Sequence, residues 1–99
     1  MATLHILSHS PFADSRLSSC LRLLGPQDGL LLTGDATYAL QAGNVARQAL
    51  ELTPDTVVMF ALTEDVDARN LTDIPQRVQP LDYPAFVELC CHFDKVNSW

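Results

Sequence analysis

Positive charge is scarce and scattered in this sequence. Six Lys and Arg residues stand against twelve Asp and Glu residues, which gives a formal charge of −6 at pH 7, and no two basic residues are adjacent. Nucleic-acid affinity comes largely from Lys and Arg side chains that neutralise phosphates. We therefore expect no direct nucleic-acid binding, and another chain would have to hold any RNA involved in this protein's work.

Long hydrophobic runs are also missing. No stretch approaches the roughly 20 apolar residues that a transmembrane helix needs, and the first residues lack the basic and apolar order of a secretory signal. We expect a cytoplasmic protein that does not contact membranes. The 99 residues are 47% hydrophobic, which predicts a single domain over residues 1–99 around one core.

The sequence lacks the motifs of the common cofactor sites. Its four glycines fit neither the dinucleotide-binding motif nor the phosphate-binding loop. Three cysteines are a poor disulfide framework and fit a reducing compartment. Cys90, Cys91 and His92 fall in a predicted helix, where consecutive side chains diverge by about 100° and cannot face one metal ion. We expect neither a cofactor nor a metal.

The hydrophobic pattern indicates strands alternating with helices. Residues 29–33 and 56–62 are continuous apolar runs, which is typical of strands covered on both faces by helices. The alternation implies parallel pairing with right-handed crossovers. The predicted strands are 3–7, 29–33, 56–62 and 77–81, and the predicted helices are 14–24, 36–40 with 45–52, 63–70 and one starting at 82.

Acidic residues follow three of the predicted strands, at the sheet edge where parallel folds place their chemistry. Asp35, Asp65 and Asp82 suggest a carboxylate cluster. Each also lies at or near the start of a predicted helix and has a ready role as a helix cap, which is the interpretation we favour. Arg69, near the end of one of these helices, is expected to form a salt bridge or a carbonyl contact.

A Ser-His-Asp triad is a weak alternative. Ser10 could be combined with His5 or His9 and with Asp35, but Ser10 is not on a nucleophile elbow and no oxyanion-hole motif lies nearby. His5 lies within a strand, where a histidine is more often a satisfied interior residue than a base.

Cys20 is the remaining candidate for chemistry. It shares a helix face with Leu17 and Leu24, which favours a buried, inert thiol. A persulfide carrier instead needs a low pKa and access to a partner. Both readings stay open for Cys20, whereas Cys90 and Cys91 are expected to pack as apolar residues.

Taken over the whole chain, these segments resemble the DsrH/TusB family of sulfur-relay subunits. No single segment is diagnostic, and the resemblance rests on their order. Asn70 departs from it, because it stands where the family usually has glycine after Ala-Arg. The matching segments are His5, Ser10-Pro11-Phe12, Leu30-Leu31-Leu32, Asp35, Tyr38-Ala39, Gly43, Ala61-Leu62, Glu64-Asp65, Ala68-Arg69, Asp82-Tyr83, Phe86-Val87, Leu89 and Trp99.

The resemblance implies a fold and a setting. The fold would be a small three-layer α/β domain, DsrEFH-like, with a mostly parallel sheet of four to five strands flanked by helices. The setting would be a hetero-oligomer with TusC/DsrF-like and TusD/DsrE-like homologues, which receives sulfur through carrier proteins and passes persulfide sulfur between cysteines. The chain would be a component of a sulfurtransferase and not a self-sufficient enzyme.

The destination of the sulfur and the role of Cys20 follow the same resemblance. In a TusBCD-like complex the sulfur would reach the 2-thio group of the tRNA wobble uridine, and in a Dsr-like complex it would enter dissimilatory sulfur oxidation. Cys20 falls where the DsrH branch carries its cysteine, which makes it the candidate catalytic residue, a persulfide carrier. The alternative is a structural subunit of the same complex without chemistry of its own.

Overall fold

A single parallel sheet organises the chain. The computed structural model describes residues 2–99. The strand order is β4-β3-β2-β1-β5, and every neighbouring pair is parallel, which confirms the predicted fold class. The strands are β1 (Thr3–Leu7), β2 (Gly29–Leu32), β3 (Val58–Leu62), β4 (Val78–Leu81) and β5 (Lys95–Ser98).

Helices cover the two faces of the sheet unequally. Strands β1 to β4 advance in one direction, so right-handed crossovers place their connecting helices on one face. The chain then returns from β4 at one edge to β5 at the other, which places the last helix alone on the opposite face. The helices are α1 (Arg16–Leu23), a 3₁₀ helix (Gly34–Leu40), α2 (Val45–Leu52), α3 (Thr63–Ala68) and α4 (Tyr83–Cys90).

The main core lies on the face that α1 and α2 cover. All four residues of β2 are buried, as the continuous apolar run predicts. Leu17 of α1 and Leu50 of α2 pack into the same cluster, together with buried residues of β1, β2, β3 and β4. Each Å² of apolar surface removed from water contributes about 25 cal/mol to stability. This cluster is therefore the main source of the protein's stability.

β5 is not predicted by the sequence pattern. Its four residues are all exposed, and its sequence Lys-Val-Asn-Ser has none of the apolar periodicity of a strand. It forms because β1 would otherwise be an open edge, and pairing from Thr3 with Lys95 to Ile6 with Ser98 satisfies the backbone groups of β1.

The acidic residues after the strands have different roles from one another. Asp82 caps α4 by accepting a hydrogen bond from the backbone N–H of Ala85 at 2.9 Å, as predicted. The capping roles expected for Asp35 and Asp65 are wrong. α3 follows β3 without a loop, so its N-cap position is Leu62, and Thr33 is the N-cap of the 3₁₀ helix.

The last helix is shorter than predicted. α4 ends at Cys90, so Cys91 and His92 lie in the following turn and not in a helix. Their backbone N–H groups bond to the carbonyls of Glu88 and Leu89, in the tight turn with which the helix ends.

Candidate functional site

Cys20 lies in the centre of the main core. The periodicity of α1 turns it toward the sheet together with Leu17, and its exposed fraction is 0%. Burial, and secondarily the negative charge of Asp28, raise the pKa of the thiol to about 12. The thiolate is the nucleophilic form of cysteine, so Cys20 in this conformation is held as an unreactive thiol. Its persulfide role stays a prediction and requires a conformation in which the thiol is accessible.

The other two cysteines lie at the end of α4. Cys90 is half-buried and Cys91 is exposed, so the expectation that both pack as apolar residues is wrong for Cys91. Burial, and secondarily Cys91, raise the pKa of Cys90. The helix C-terminus is the negative end of the helix dipole, which disfavours a thiolate at this position.

The strand ends of β2 and β3 meet at a charged cluster. Arg69 donates to Asp35 Oδ1 at 2.8 Å and to the carbonyl oxygen of Asp65 at 3.1 Å. Asp65 Oδ2 in turn accepts from the backbone N–H of Gly34 at 2.7 Å. The guanidinium also lies 5.6 Å from the centre of the Tyr38 ring. The sequence prediction for Arg69 is confirmed, because it forms both a salt bridge and a carbonyl contact.

This cluster is suited to holding the loops in place. Its two carboxylates face a guanidinium and a backbone N–H, which satisfies their charge, whereas Asp82 is engaged as the cap of α4. Within residues 2–99, no group of three or more His, Cys, Asp or Glu side chains is placed to hold a metal ion.

Asn70 has a backbone conformation that few residues adopt. Its φ is +54°, in the left-handed region that glycine enters without steric cost. Asparagine tolerates this region better than most residues, because its short side chain can hydrogen-bond locally. Asn70 therefore adopts without a large steric penalty a conformation that also suits glycine, the residue that the resemblance leads one to expect here.

The candidate triad is not assembled. His5 is buried between Asp28 and Trp99, whereas His9 is exposed and contacts Arg16. In the described part of the chain, no hydrogen bond joins Ser10 to either histidine. His5 is the satisfied interior histidine that its position in a strand predicts.

A buried polar network surrounds His5. The indole N–H of Trp99 donates to His5 Nδ1 at 3.1 Å, so His5 Nε2 carries the proton that it donates to Asp28 at 3.2 Å. Asp28 also accepts from the backbone N–H groups of Thr3 at 3.0 Å and Gly25 at 2.9 Å. The network ties the two ends of the described chain to the start of β2.

Asp28 is the residue of this network that sequence reasoning missed. Burial alone would raise its pKa, but the hydrogen bonds from Gly25, Thr3 and His5 outweigh burial and lower it. The available signal was an acidic residue directly before an entirely apolar strand, a position that requires a buried partner for the charge.

The described surface includes an apolar cleft and an apolar helix face. A cleft of about 650 Å³ between α1 and α2 is lined by Leu21, Leu24 and Leu52 among others. On the opposite face, α4 leaves Tyr83 and Val87 exposed. No helix in residues 2–99 has the length and apolar character to cross a membrane.

Comparison of the sequence with known proteins gives matches along nearly the whole chain. A family model described as "DsrH like protein" matches residues 9–96. A protein from Escherichia coli named "Protein TusB" is 36% identical over 97 residues, which cover 97% of this chain and 99% of that protein. A protein of the same name from Shigella boydii matches with the same identity and coverage.

Comparison with solved structures gives the same fold. The crystal structure of the ychN protein from E. coli has a TM-score of 0.81 at 22% identity, over 100% of both chains. The protein of unknown function MTH1491 from Methanobacterium thermoautotrophicum has a TM-score of 0.69 at 12% identity, over 97% of this chain and 96% of the other. At these identities the likeness establishes the fold alone.

Proposed function

We propose that this chain, which belongs to the DsrH family, is a subunit of a TusBCD-like complex that relays persulfide sulfur. The acceptor at the end of the relay is the 2-position of the wobble uridine in tRNA. The partners are TusC/DsrF-like and TusD/DsrE-like homologues and sulfur carrier proteins in the cytoplasm. The match to TusB proteins over 97% of the chain supports this assignment.

The burial of Cys20 supports a structural part for this chain in the relay. Sulfur transfer requires a thiolate that can reach the outer sulfur of a donor persulfide. Cys20 has an exposed fraction of 0% and a pKa of about 12, so it meets neither requirement in this conformation. We assign the chain a structural role, in which homologous subunits carry the sulfur.

The excess of negative charge agrees with this assignment. A chain with a formal charge of −6 repels phosphates, so contact with tRNA would fall to other components of the complex. The same charge is suited to binding proteins that carry basic surfaces.

In a second candidate role, Cys20 itself carries the persulfide sulfur. The resemblance favours this role, because Cys20 falls where the DsrH branch carries its cysteine. In a conformation in which the thiol is accessible, the Cys20 thiolate would attack the outer sulfur of a donor persulfide. The donor sulfur–sulfur bond would break, the donor would leave as a thiolate, and Cys20 would become the persulfide. A Dsr-like pathway of sulfur oxidation would use the same step, and the genes that neighbour this one distinguish the two pathways.

Co-expression with the two homologous subunits of the same genome tests the proposal. We expect the three chains to co-purify, and incubation with a persulfide donor to add sulfur to a cysteine of a homologous subunit while Cys20 keeps its mass. A gain of one sulfur atom on Cys20 that is lost in Cys20→Ser establishes the carrier role instead. Failure of the three chains to associate contradicts membership of the complex.

A further inference from the structure

α4 is an apolar helix that the chain itself does not bury. Glu88 is its only charged residue, and none of its eight residues is buried. Tyr83 and Val87 are 56% and 57% exposed. A helix that is apolar on most sides is normally enclosed by other structure, so α4 has the composition of a buried helix and the surroundings of a surface helix.

The sheet beneath α4 is incompletely covered as well. Strand register places Val58, Leu4 and Val96 on the face of α4, because paired residues of parallel strands point to the same side. Phe93 covers the centre of this row, where its ring lies against Gly29. The flanking Val58 and Val96 are 46% and 45% exposed, so the apolar surface continues from the helix onto the sheet.

The opposite face differs in this respect. α1 buries Leu17 and Cys20, and α2 buries Leu50, so each of these helices is anchored in the core. Their exposed apolar side chains, such as Leu52, stand on the outer side of helices that are already packed. The α4 face, defined by α4 with Val58 and Val96, is therefore the incomplete side of the molecule.

Charge identifies the kind of partner. Acidic residues surround the α4 face, namely Glu88 in the helix, Asp82 and Asp94 at its ends, and Glu64 next to Tyr83. Neither α4 nor the strand positions that share its face carry Lys or Arg in the described residues. Two copies would bring acidic rims together, which is unfavourable, whereas a partner with a basic rim is attracted.

We propose that the α4 face docks a homologous subunit of the sulfur-relay complex, one whose contacting surface is apolar at its centre and basic at its rim. This inference rests on the proposed function and adds the location of the contact. Apolar centres with polar rims are typical of protein interfaces, and exposed apolar patches of this kind mark them.

The test compares matched substitutions on the two faces. The chain is co-expressed with its two homologous subunits, and its recovery on a tagged homologue is measured for wild type, Val87→Glu on α4 and Leu52→Glu on α2. Both side chains are more than half exposed, so both variants should fold, which thermal unfolding checks. We expect Val87→Glu to reduce recovery about tenfold or more and Leu52→Glu to leave it near the wild-type level.

A second variant probes the charge of the rim. Glu88→Lys replaces an exposed acid with a base and should lower recovery at low salt, with a smaller effect at high salt. Unchanged recovery of Glu88→Lys at low salt contradicts the basic-rimmed partner.

The remaining outcomes separate this inference from the proposed function. If wild type associates and Leu52→Glu abolishes association while Val87→Glu does not, the α4 face is the wrong surface and the complex stands. If the isolated chain forms a dimer that Val87→Glu disrupts, a second copy is the occupant and the inference is overturned. If wild type fails to associate with either homologue, the proposed function falls, and the inference with it.

Discussion

The chemistry of single residues in this protein depends on how they are buried. Cys20 in α1 and Asp28 just before β2 are both buried, and burial acts on both, yet their pKa values move in opposite directions. Asp28 has three hydrogen-bond donors that stabilise its charge, whereas Cys20 has apolar neighbours and a nearby anion. The contrast makes one residue a structural charge and the other a protonated thiol.

Cys20 is expected to resist alkylation in the native protein. A variant with Cys90→Ser and Cys91→Ser leaves it as the only thiol. Burial raises the pKa of Cys20 to about 12, so very little of it is a thiolate at pH 8, and none of its surface is accessible. Labelling with N-ethylmaleimide should therefore be slow in the native protein. It should be fast in ~6 M guanidinium, which unfolds small domains. Equal rates in the two conditions contradict the buried thiol.

Asp28→Asn should destabilise the protein and change its response to acid. Loss of the charged acceptor for three donors should cost about 2 kcal/mol at pH 7. Because the pKa of Asp28 is lowered in the folded state, its contribution is complete above the unfolded pKa of about 4 and is lost as pH falls through the folded pKa.

Urea unfolding at neutral and acid pH measures this contribution. The difference between wild type and Asp28→Asn should shrink as the pH is lowered below about 4. The exposed Asp55 is the control site, and Asp55→Asn should stay near wild type throughout. If the difference in the free energy of unfolding between wild type and Asp28→Asn does not change with pH, the charge of Asp28 does not contribute to stability.

Residue-level prediction from sequence succeeded where the local pattern determines the contact. The cap at Asp82 and the interior histidine at His5 follow from their positions beside a helix and within a strand. The contact of Asp28 with His5 and the ion pair of Asp35 with Arg69 do not, because they join residues 23 and 34 positions apart. Only the strand order brings these residues together.

At the scale of elements, Arg77 connects a helix end to a strand. Its guanidinium donates to the carbonyl oxygens of Leu50 and Thr53 at the end of α2, and of Pro54 and Val57 before β3. Carbonyls at a helix C-terminus have no partner within the helix, so these bonds serve as a long-range cap.

Arg77→Met should lower the free energy of unfolding by about 1–3 kcal/mol, since it keeps the apolar stem and removes all four hydrogen bonds. Arg22→Met is the matched control, because Arg22 is exposed and has no ion pair or side-chain hydrogen bond within residues 2–99. Urea midpoints measure both variants. Equal midpoints for the two variants contradict the capping role of Arg77.

The elements themselves were predictable in proportion to their apolar content. Strands β1 to β4 and helices α1, α2 and α4 arise from periodic or continuous apolar runs, with ends displaced by a few residues. α3 has no such run and is indicated instead by the acidic residues of its first turn, Glu64 and Asp65, which suit a helix N-terminus. β5 lacks such a run and forms only because the edge of β1 is open to pair with it. The sequence of α4 correctly predicts a helix, but its apolar composition suggests a buried one, whereas none of its residues is buried within this chain. A local sequence pattern contains no information about partner chains that could cover the helix.

At the scale of the whole molecule, the fold places a reactive residue type in a closed core and leaves one face of the sheet incomplete. The alternation of elements predicts parallel pairing, but the return from β4 to β5, and thus the isolation of α4, follows from topology. Both features agree with the proposed role, in which the chain completes an assembly and its homologues carry the sulfur.

The level of 2-thiouridine at the tRNA wobble position tests this account most directly. It is measured by mass spectrometry of tRNA nucleosides in a strain without this gene, complemented with wild type or with Cys20→Ser. We predict that deletion lowers the 2-thiouridine level and that both versions restore it, because the chain supports the relay without carrying sulfur. A 2-thiouridine level that deletion leaves unchanged would contradict the account.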